Sequence, residues 1–429
     1  MFYLGGLGKF KVMPRFYTLW MHLRAPPTGS YAGHVRRGMK VRPVVVSLIA
    51  GTALALGACA GNSGHQAQPA SGRSDTQPSV QVSSPQVSEL AGLARRVLDS
   101  YIVRNGPHDP RYWRDGSFIA TDGPSCWSCY DTAATAAAVL STYDGNEARL
   151  RNVAIATFTH VIRTYQAPSG EFASGAVMTG FISVELGLSY LELRSTLPAS
   201  TSALWRESLQ RAADWLIRTG QTTYYINGNV NLRQTEVMWL AWSATGAARF
   251  RTAYQHEWRF TISPPKRWTG FGLQLTHSPT GPDGAAGAGY LAESGGGAPG
   301  YDPSYTMVQL DIATELYILT RDSRYVRLMN LLFNQERPRI NAAFTLNATG
   351  GTRKDDDTPF MSAAPAVLVL TGQRPDLRRF WLGQLRRIQH EYRGAMTYTV
   401  PNYYKGLSGW LMPPILALQW PHGVGPSVG

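Results

Sequence analysis

The chain is expected to be all-α, an (α/α)6 toroid of paired helices, on three observations. Apolar residues recur at three- and four-residue spacing through most of the region after residue 86, as in Val308, Ile312, Leu316 and Leu319. Residues that start and stop helices fall at the ends of those stretches. Short turns alternate with long glycine-rich links. Short turns make antiparallel neighbours, and the long links gather at one end of the assembly.

Twelve helices are expected, over 88–104, 128–143, 146–166, 176–195, 201–219, 231–246, 247–256, 304–320, 323–336, 360–371, 375–393 and 404–419. Ser200-Thr201, Asp322-Ser323 and Ser408 supply N-cap types, and Gly220, Gly372 and Pro338 mark stops. Asp144-Gly145-Asn146 and Thr320–Ser323 are tight turns, whereas 167–177, 220–231 and 257–304 are long links of the kind that carry function. Within the longest of these, Phe260–Ser263 and Arg267–Leu275 read as the arms of a small β-hairpin. The glycines of 281–289 and 295–297 then read as a mobile flap or a plain surface loop leading to Tyr301. They are not a phosphate loop, because no strand precedes them and no Lys-Ser/Thr follows.

The N-terminal region reads as an address. Met39–Arg42 is basic, Pro43–Leu56 is mostly apolar, and Leu56-Gly57-Ala58 places small residues before Cys59. The run is too short to prefer a membrane span. It resembles the bacterial lipoprotein signal, in which the cysteine, here Cys59, receives lipid. That resemblance implies an extracytoplasmic chain, lipid-anchored to the cell membrane. The expected organisation is a leader and signal over 1–58, a flexible tether over 59–86 poor in large apolar residues, and the toroid over 87–429.

The formal charge of +13 is concentrated in the leader. Residues 1–58 hold eight of the 41 Lys and Arg and none of the 28 Asp and Glu. The remainder sets 33 basic against 28 acidic residues, a net +5 that gives no footprint for nucleic acid. Of the three cysteines, Cys126 and Cys129 remain, and outside the cytosol they are expected to close a small disulfide loop. No metal or other cofactor is expected.

Two helix entrances stand out. Tyr224–Glu236 carries Asn227, Asn229, Asn231, Arg233, Gln234 and Glu236, far more polar groups than one cap requires. Pro299–Tyr305 carries Tyr301, Asp302 and Tyr305 just before an apolar helix. The expectation is that both open onto one glycan-binding cleft, with a polysaccharide as partner; the plain alternative is two well-capped helices of a structural bundle. Trp113, beside Asp115, and Trp268 offer flat faces on which sugar rings stack.

Asn227-Gly228-Asn229 with Gln234, followed by Tyr301-Asp302-Pro303-Ser304-Tyr305, resembles the alginate-lyase and heparinase-type enzymes. These belong to the broad group of (α/α)6 polysaccharide lyases and six-hairpin glycosidases. The resemblance implies β-elimination at a uronate. Asn229, Asn231, Arg233 and Gln234 would neutralise the carboxylate, and Tyr305, with Tyr301 behind it, would serve as base and acid. His256 and His277 are further candidate bases. Hydrolysis would use paired carboxyls instead, with Asp302 and Glu236 at the entrances and Asp115, Asp122, Asp131 and Glu171 as other candidates. A third reading is a glycan-binding lipoprotein without turnover. No Gly-x-Ser-x-Gly elbow supports a serine hydrolase.

Overall fold

A computed structural model describes residues 85–104, 113–114, 117–118, 127–143, 145, 147–172, 175–222, 227–263, 272–295, 298–353, 355–360, 362–395 and 411–426. Among these residues twelve α-helices follow in order. They are α1 (Pro85–Arg104), α2 (Trp127–Tyr143), α3 (Ala148–Tyr165), α4 (Ala176–Leu193), α5 (Ala199–Arg218), α6 (Gly228–Thr245), α7 (Ala248–Ile262), α8 (Pro303–Thr320), α9 (Ser323–Glu336), α10 (Ala364–Leu370), α11 (Arg378–Ala395) and α12 (Met412–Gln419). They form one unit from Gln81 to Gly429.

The pattern of burial sorts them into two layers. The even-numbered helices are buried nearly all round, as α4, α6 and α8 show along most of their length. Odd-numbered helices are amphipathic: α5 buries Trp205, Leu209, Ala213 and Leu216 and turns Arg206, Glu207 and Arg218 to solvent. The buried helices close a ring, with α2 on α4, α4 on α6, α6 on α8, α8 on α10, α10 on α12, and α12 back on α2. Each outer helix returns the chain, so the six inner helices run the same way and their N-termini share one end. This is an (α/α)6 toroid. Helix α4 is long and apolar enough to cross a bilayer, but it lies inside the ring.

The two ends differ. At the C-terminal end of the inner helices, Glu192 of α4 accepts from Thr142 of α2, and Gln419 of α12 donates to Thr142 Oγ1 at 3.1 Å. Arg321 ends α8 in the left-handed region (φ 54°) and its guanidinium bonds the carbonyl oxygens of Ala417 and Trp420. The tail returns over this end, where the Val424 N–H donates to the Leu319 carbonyl at 2.7 Å.

The N-terminal end carries the long links, and there the hairpin differs from expectation. Phe260–Ile262 is the last turn of α7, because the amphipathic pattern that buries Tyr254, Trp258 and Thr261 runs on to it. Two short strands, β1 (Trp113–Arg114) and β2 (Ser117–Phe118), pair ahead of α2. The hairpin pairs β3 (Leu273–His277) with β4 (Ala288–Leu291), so its second arm comes from the glycine-rich stretch. Gly289 permits this, since a Cβ there would stand 2.5 Å from the Gln274 carbonyl oxygen. Nor is the stretch a free flap. Asn330 and Asn334 on α9 donate to the carbonyls of Asp283, Ala285 and Gly287 at 2.7–2.8 Å.

Candidate functional site

The inner-helix N-termini form a mouth between α6 and α8. Asp302 caps α8, its Oδ1 accepting from the Tyr305 N–H at 3.1 Å. Its Oδ2 accepts from Thr352 Oγ1 at 3.1 Å and the Arg353 N–H at 2.9 Å, so both oxygens hold backbone or loop in place. Glu293, just after β4, does the same for α6. Its Oε1 accepts from the Asn229 N–H at 2.7 Å and from Gln309 Nε2 of α8 at 2.8 Å. Its Oε2 lies 3.7 Å from Arg353 Nη1, and the Arg353 guanidinium sits 3.5 Å from the centre of the Tyr305 ring. Asn229 and Tyr305 therefore flank one Glu293–Arg353 pair.

The Asn-Gly-Asn run owes much to this seam. A Cβ on Gly228 would stand 2.3 Å from Leu291 Cβ, so glycine lets α6 start against β4. Asn227 accepts through Oδ1 from the Ser294 N–H at 3.0 Å and ties down the same loop. The Asn229 side chain is fully buried and its amide has no hydrogen-bond partner among the described residues. Burial raises the Glu293 carboxyl to about 7 against the opposing pull of Arg353. Burial also pushes the Tyr305 hydroxyl up, again against Arg353. Tyr301 turns elsewhere, donating to Glu336 Oε1 at 2.6 Å under the Arg339 guanidinium.

Further along the inner helices lies a ring of charge. Arg233 of α6 donates through Nη1 to Glu236 Oε2 at 2.6 Å and to Glu315 Oε2 of α8 at 2.5 Å. Its guanidinium lies 4.9 Å from the centre of the Phe181 ring of α4. Glu185 of α4, Asp131 of α2 and Asp311 of α8 complete the ring, coupled to it electrostatically. Seven residues separate Asn229 from Glu236, about 10 Å along a helix, so the ring sits below the mouth.

Five carboxyls facing one guanidinium cannot all stay ionised away from water. Burial, and then Glu315, raises Glu185 to about 7. Burial foremost raises Asp131, Glu236 and Asp311 well above the usual carboxylate range. Burial disfavours the charge on Arg233, but Glu315, Glu236 and Glu185 outweigh it and keep the guanidinium charged. The ring is not dry core. Glu185, Arg233 and Glu315 keep 8%, 7% and 6% exposure, and Phe181 and Asp311 on the same inner faces are part-exposed, whereas the neighbouring core leucines are at zero. Solvent therefore touches part of the ring. Among the described residues no group of three or more His, Cys, Asp or Glu is arranged to hold a metal.

The sequence candidates thus divide. Asn227, Asn229, Asp302 and Tyr305 meet at the mouth, while Arg233, Glu236 and Asp131 meet in the ring. Asn231 and Gln234 are buried on α6 between and beside them. His256 and His277 are exposed, on α7 and β3. Trp113 lies in a two-residue strand with its side chain outside the described residues, as are Asp115, Asp122, Trp268, Cys59 and Cys126. Cys129 is in α2, its side chain likewise outside them. Sequence reading missed Glu185, Asp311, Glu315, Glu293 and Arg353. Glu185, Asp311 and Glu315 had a signal: carboxyls inside stretches otherwise largely apolar and free of charge, FISVELGL and VQLDIATEL. Glu293 and Arg353 sit in loops and had none.

No family model matches the chain, and no curated protein matches it. Among solved structures, a D-mannose isomerase is similar over 73% of this chain and 88% of its own, at 10% identity and a TM-score of 0.47. An unsaturated glucuronyl hydrolase from Streptococcus agalactiae is similar over 80% and 92%, at 13% identity and 0.43. A family 76 glycoside hydrolase from a bovine Bacteroides thetaiotaomicron strain is similar over 79% and 78%, at 10% identity and 0.39. The toroid itself is established by the closed ring of inner-helix contacts within this molecule.

Proposed function

We propose that the chain is a carbohydrate-active enzyme that hydrolyses a glycosidic bond of a polysaccharide in the lumen of the toroid. The observation that carries this reading is the pair Glu236 and Glu315 on one Arg233 nitrogen, with Glu236 held protonated by burial. Glycoside hydrolysis needs one carboxylic acid and one carboxylate. Retaining enzymes set them about 5–5.5 Å apart. Glu236 and Glu315 share one Arg233 nitrogen and hydrogen-bond each other, so they stand closer than that until a substrate parts them. In this scheme Glu236 gives its proton to the leaving glycosidic oxygen. Glu315, its charge stabilised by Arg233, attacks the anomeric carbon as the bond breaks. Glu236 then takes a proton from the water that displaces Glu315 and regenerates both groups. Asn229 and Gln234, buried and with amides that have no partner among the described residues, supply hydrogen bonds to sugar hydroxyls on the way in.

The test is release of reducing ends from a panel of glycans by the wild-type chain, Glu236→Gln and Glu315→Gln. The variants are expected to lose about 10²–10⁴-fold in rate. Wild-type rates in both would falsify the assignment of the pair. A second reading, β-elimination of a uronate at the mouth, is favoured by the placement of Arg353 over Tyr305 beside the unpartnered Asn229 amide. It gives unsaturated products that absorb in the ultraviolet, which hydrolysis does not. We place the enzyme outside the cytoplasm, lipid-anchored at Cys59. Incorporation of a labelled fatty acid by the wild-type chain but not by Cys59→Ser is the expected result, and equal labelling removes the anchor.

A further inference from the structure

Among the described residues the ring holds more carboxyls than cations, and that surplus names a substrate class. Carboxyls face it from three inner helices besides that of Arg233: Asp131 on α2, Glu185 on α4, and Asp311 and Glu315 on α8. Glu236 joins them from α6, and Arg233 is the one cation among these groups. Arg233 is already shared by Glu236 and Glu315. Buried oxygens are left over, namely Asp131 Oδ2, Glu185 Oε2 and Glu236 Oε1, none with a hydrogen-bond partner among the described residues.

A separate group points the same way. Gln234 is wholly buried, and neither its amide oxygen nor its amide nitrogen has a partner among the described residues. Its Cγ and that of Arg233 face the same α4 residue, Gly180, at 3.9 and 3.7 Å from where a Cβ would stand. A buried amide with both ends open is costly unless something polar fills the space beside it. An open amide on the residue after Arg233, with surplus carboxyl oxygens on the facing inner helices, suits a donor-rich cation on a hydroxylated ring.

We propose that the lumen selects a glycan whose sugar carries a free, protonated amine, with the ammonium seated among Asp131, Glu185 and the Gln234 amide. The proposal rests on the reading that the lumen is the substrate site. An N-acetylated sugar brings no cation to draw these raised carboxyls into their ionised form, and a uronate would set its own carboxylate among them with Arg233 already shared. Seating an ammonium turns neutral acids into carboxylates, so binding sheds protons to the buffer near neutral pH. This direction agrees with the raised Glu185 and Asp131.

The experiment uses the full chain and probes that do not depend on linkage. Methyl glycosides of glucosamine, galactosamine and mannosamine, their N-acetyl forms and methyl glucuronide are titrated calorimetrically in two buffers of different ionisation enthalpy. One free-amine glycoside is expected to bind at least about tenfold more tightly than its N-acetyl form, with net proton release. Asp131→Asn and Glu185→Gln should each reduce that preference, and the melting temperature shows that they remain folded. Equal affinity for the N-acetyl form, tighter binding of the glucuronide, or no binding of any free amine overturns the proposal. If N-acetyl or neutral glycans are cleaved and Glu236→Gln abolishes cleavage, amine selection fails while the glycosidase reading stands. If nothing is cleaved but the free amine binds with proton release, the reverse holds.

Discussion

The mouth and the carboxyl ring are built from the same ingredients and are wired differently. At the mouth, Glu293 answers Arg353, and most acceptors are bound to the backbone: Glu293 to the Asn229 N–H, Asp302 to the Tyr305 and Arg353 N–H groups. In the ring, among the described residues, five carboxyls answer one guanidinium, and several of their oxygens have no hydrogen-bond partner. The mouth uses most of its polar groups to fix two helix starts and a hairpin in register and leaves the Asn229 amide open. The ring keeps polar groups in reserve. Buried polarity therefore does not mark a site until its partners are counted; where the partners are backbone, it is architecture.

The largest expected effect separates the two regions by activity. Glu236→Gln and Glu315→Gln should remove about 10²–10⁴-fold of turnover, while Glu293→Gln, which leaves the ring intact, should keep turnover within about tenfold of the wild type. Equal losses in all three would erase the distinction. Next is the cost of removing the one cation. Arg233→Met leaves Glu236 and Glu315 buried without their partner, and breaking such a pair costs about 3–5 kcal/mol. Chemical denaturation of Arg233→Met measures it. A change under about 1 kcal/mol would mean that the ring is already wet and neutral.

Acidity sharpens the comparison from another side. A carboxyl whose folded pKa lies above its unfolded value stabilises the fold fully below the unfolded pKa and ceases to as pH rises through the folded one. Burial first of all raises Glu185 and Glu293 from 4.5 to about 7, and Glu336 to about 8. Their contribution to thermal stability should therefore fall between about pH 5 and about pH 8, on the order of 3 kcal/mol for a group shifted as Glu293 is. Scanning calorimetry across that range should show the decline, and Glu293→Gln should flatten part of it. An unchanged slope in the variant assigns the decline elsewhere.

Much of the fold was legible because helical periodicity repeats many times. Twelve apolar stretches, with Gly220 and Gly372 after two of them and Asp322 before another, mark the helices to within a few residues except at α7 and α10; the start expected at 404 for α12 lies outside the described residues. The hairpin was half legible. Leu273–Leu275 was read as strand, but its partner lay in a glycine run whose composition looks like loop and whose glycines serve close backbone approach. The candidate site was legible where chemistry clusters in sequence, as from Asn227 to Glu236. It was not legible where the toroid assembles it, because Glu185 and Glu315 come from helices distant in sequence and only ring closure brings them to Arg233.

A smaller effect probes the seam alone. Gly228→Ala forces a Cβ against Leu291, and overpacking of this kind costs about 1–3 kcal/mol. The variant should melt lower and, once folded, still bind glycan through the ring. Loss of binding in a folded variant would show that the mouth's geometry governs entry.

The smallest change expected is at Tyr305→Phe, and it bears on which region does chemistry. The Tyr305 hydroxyl is pushed up by burial, so at neutral pH it keeps its proton and makes a poor base, even with Arg353 against its ring. Phenylalanine preserves the face on which the guanidinium rests, so neither fold nor hydrolysis should change by more than about twofold. A Tyr305→Phe variant that binds substrate and no longer turns it over would move the reaction up to the mouth. It would make Arg353 and Asn229 the carboxylate readers of an eliminating enzyme, and leave the ring below as the scaffold of the inner helices.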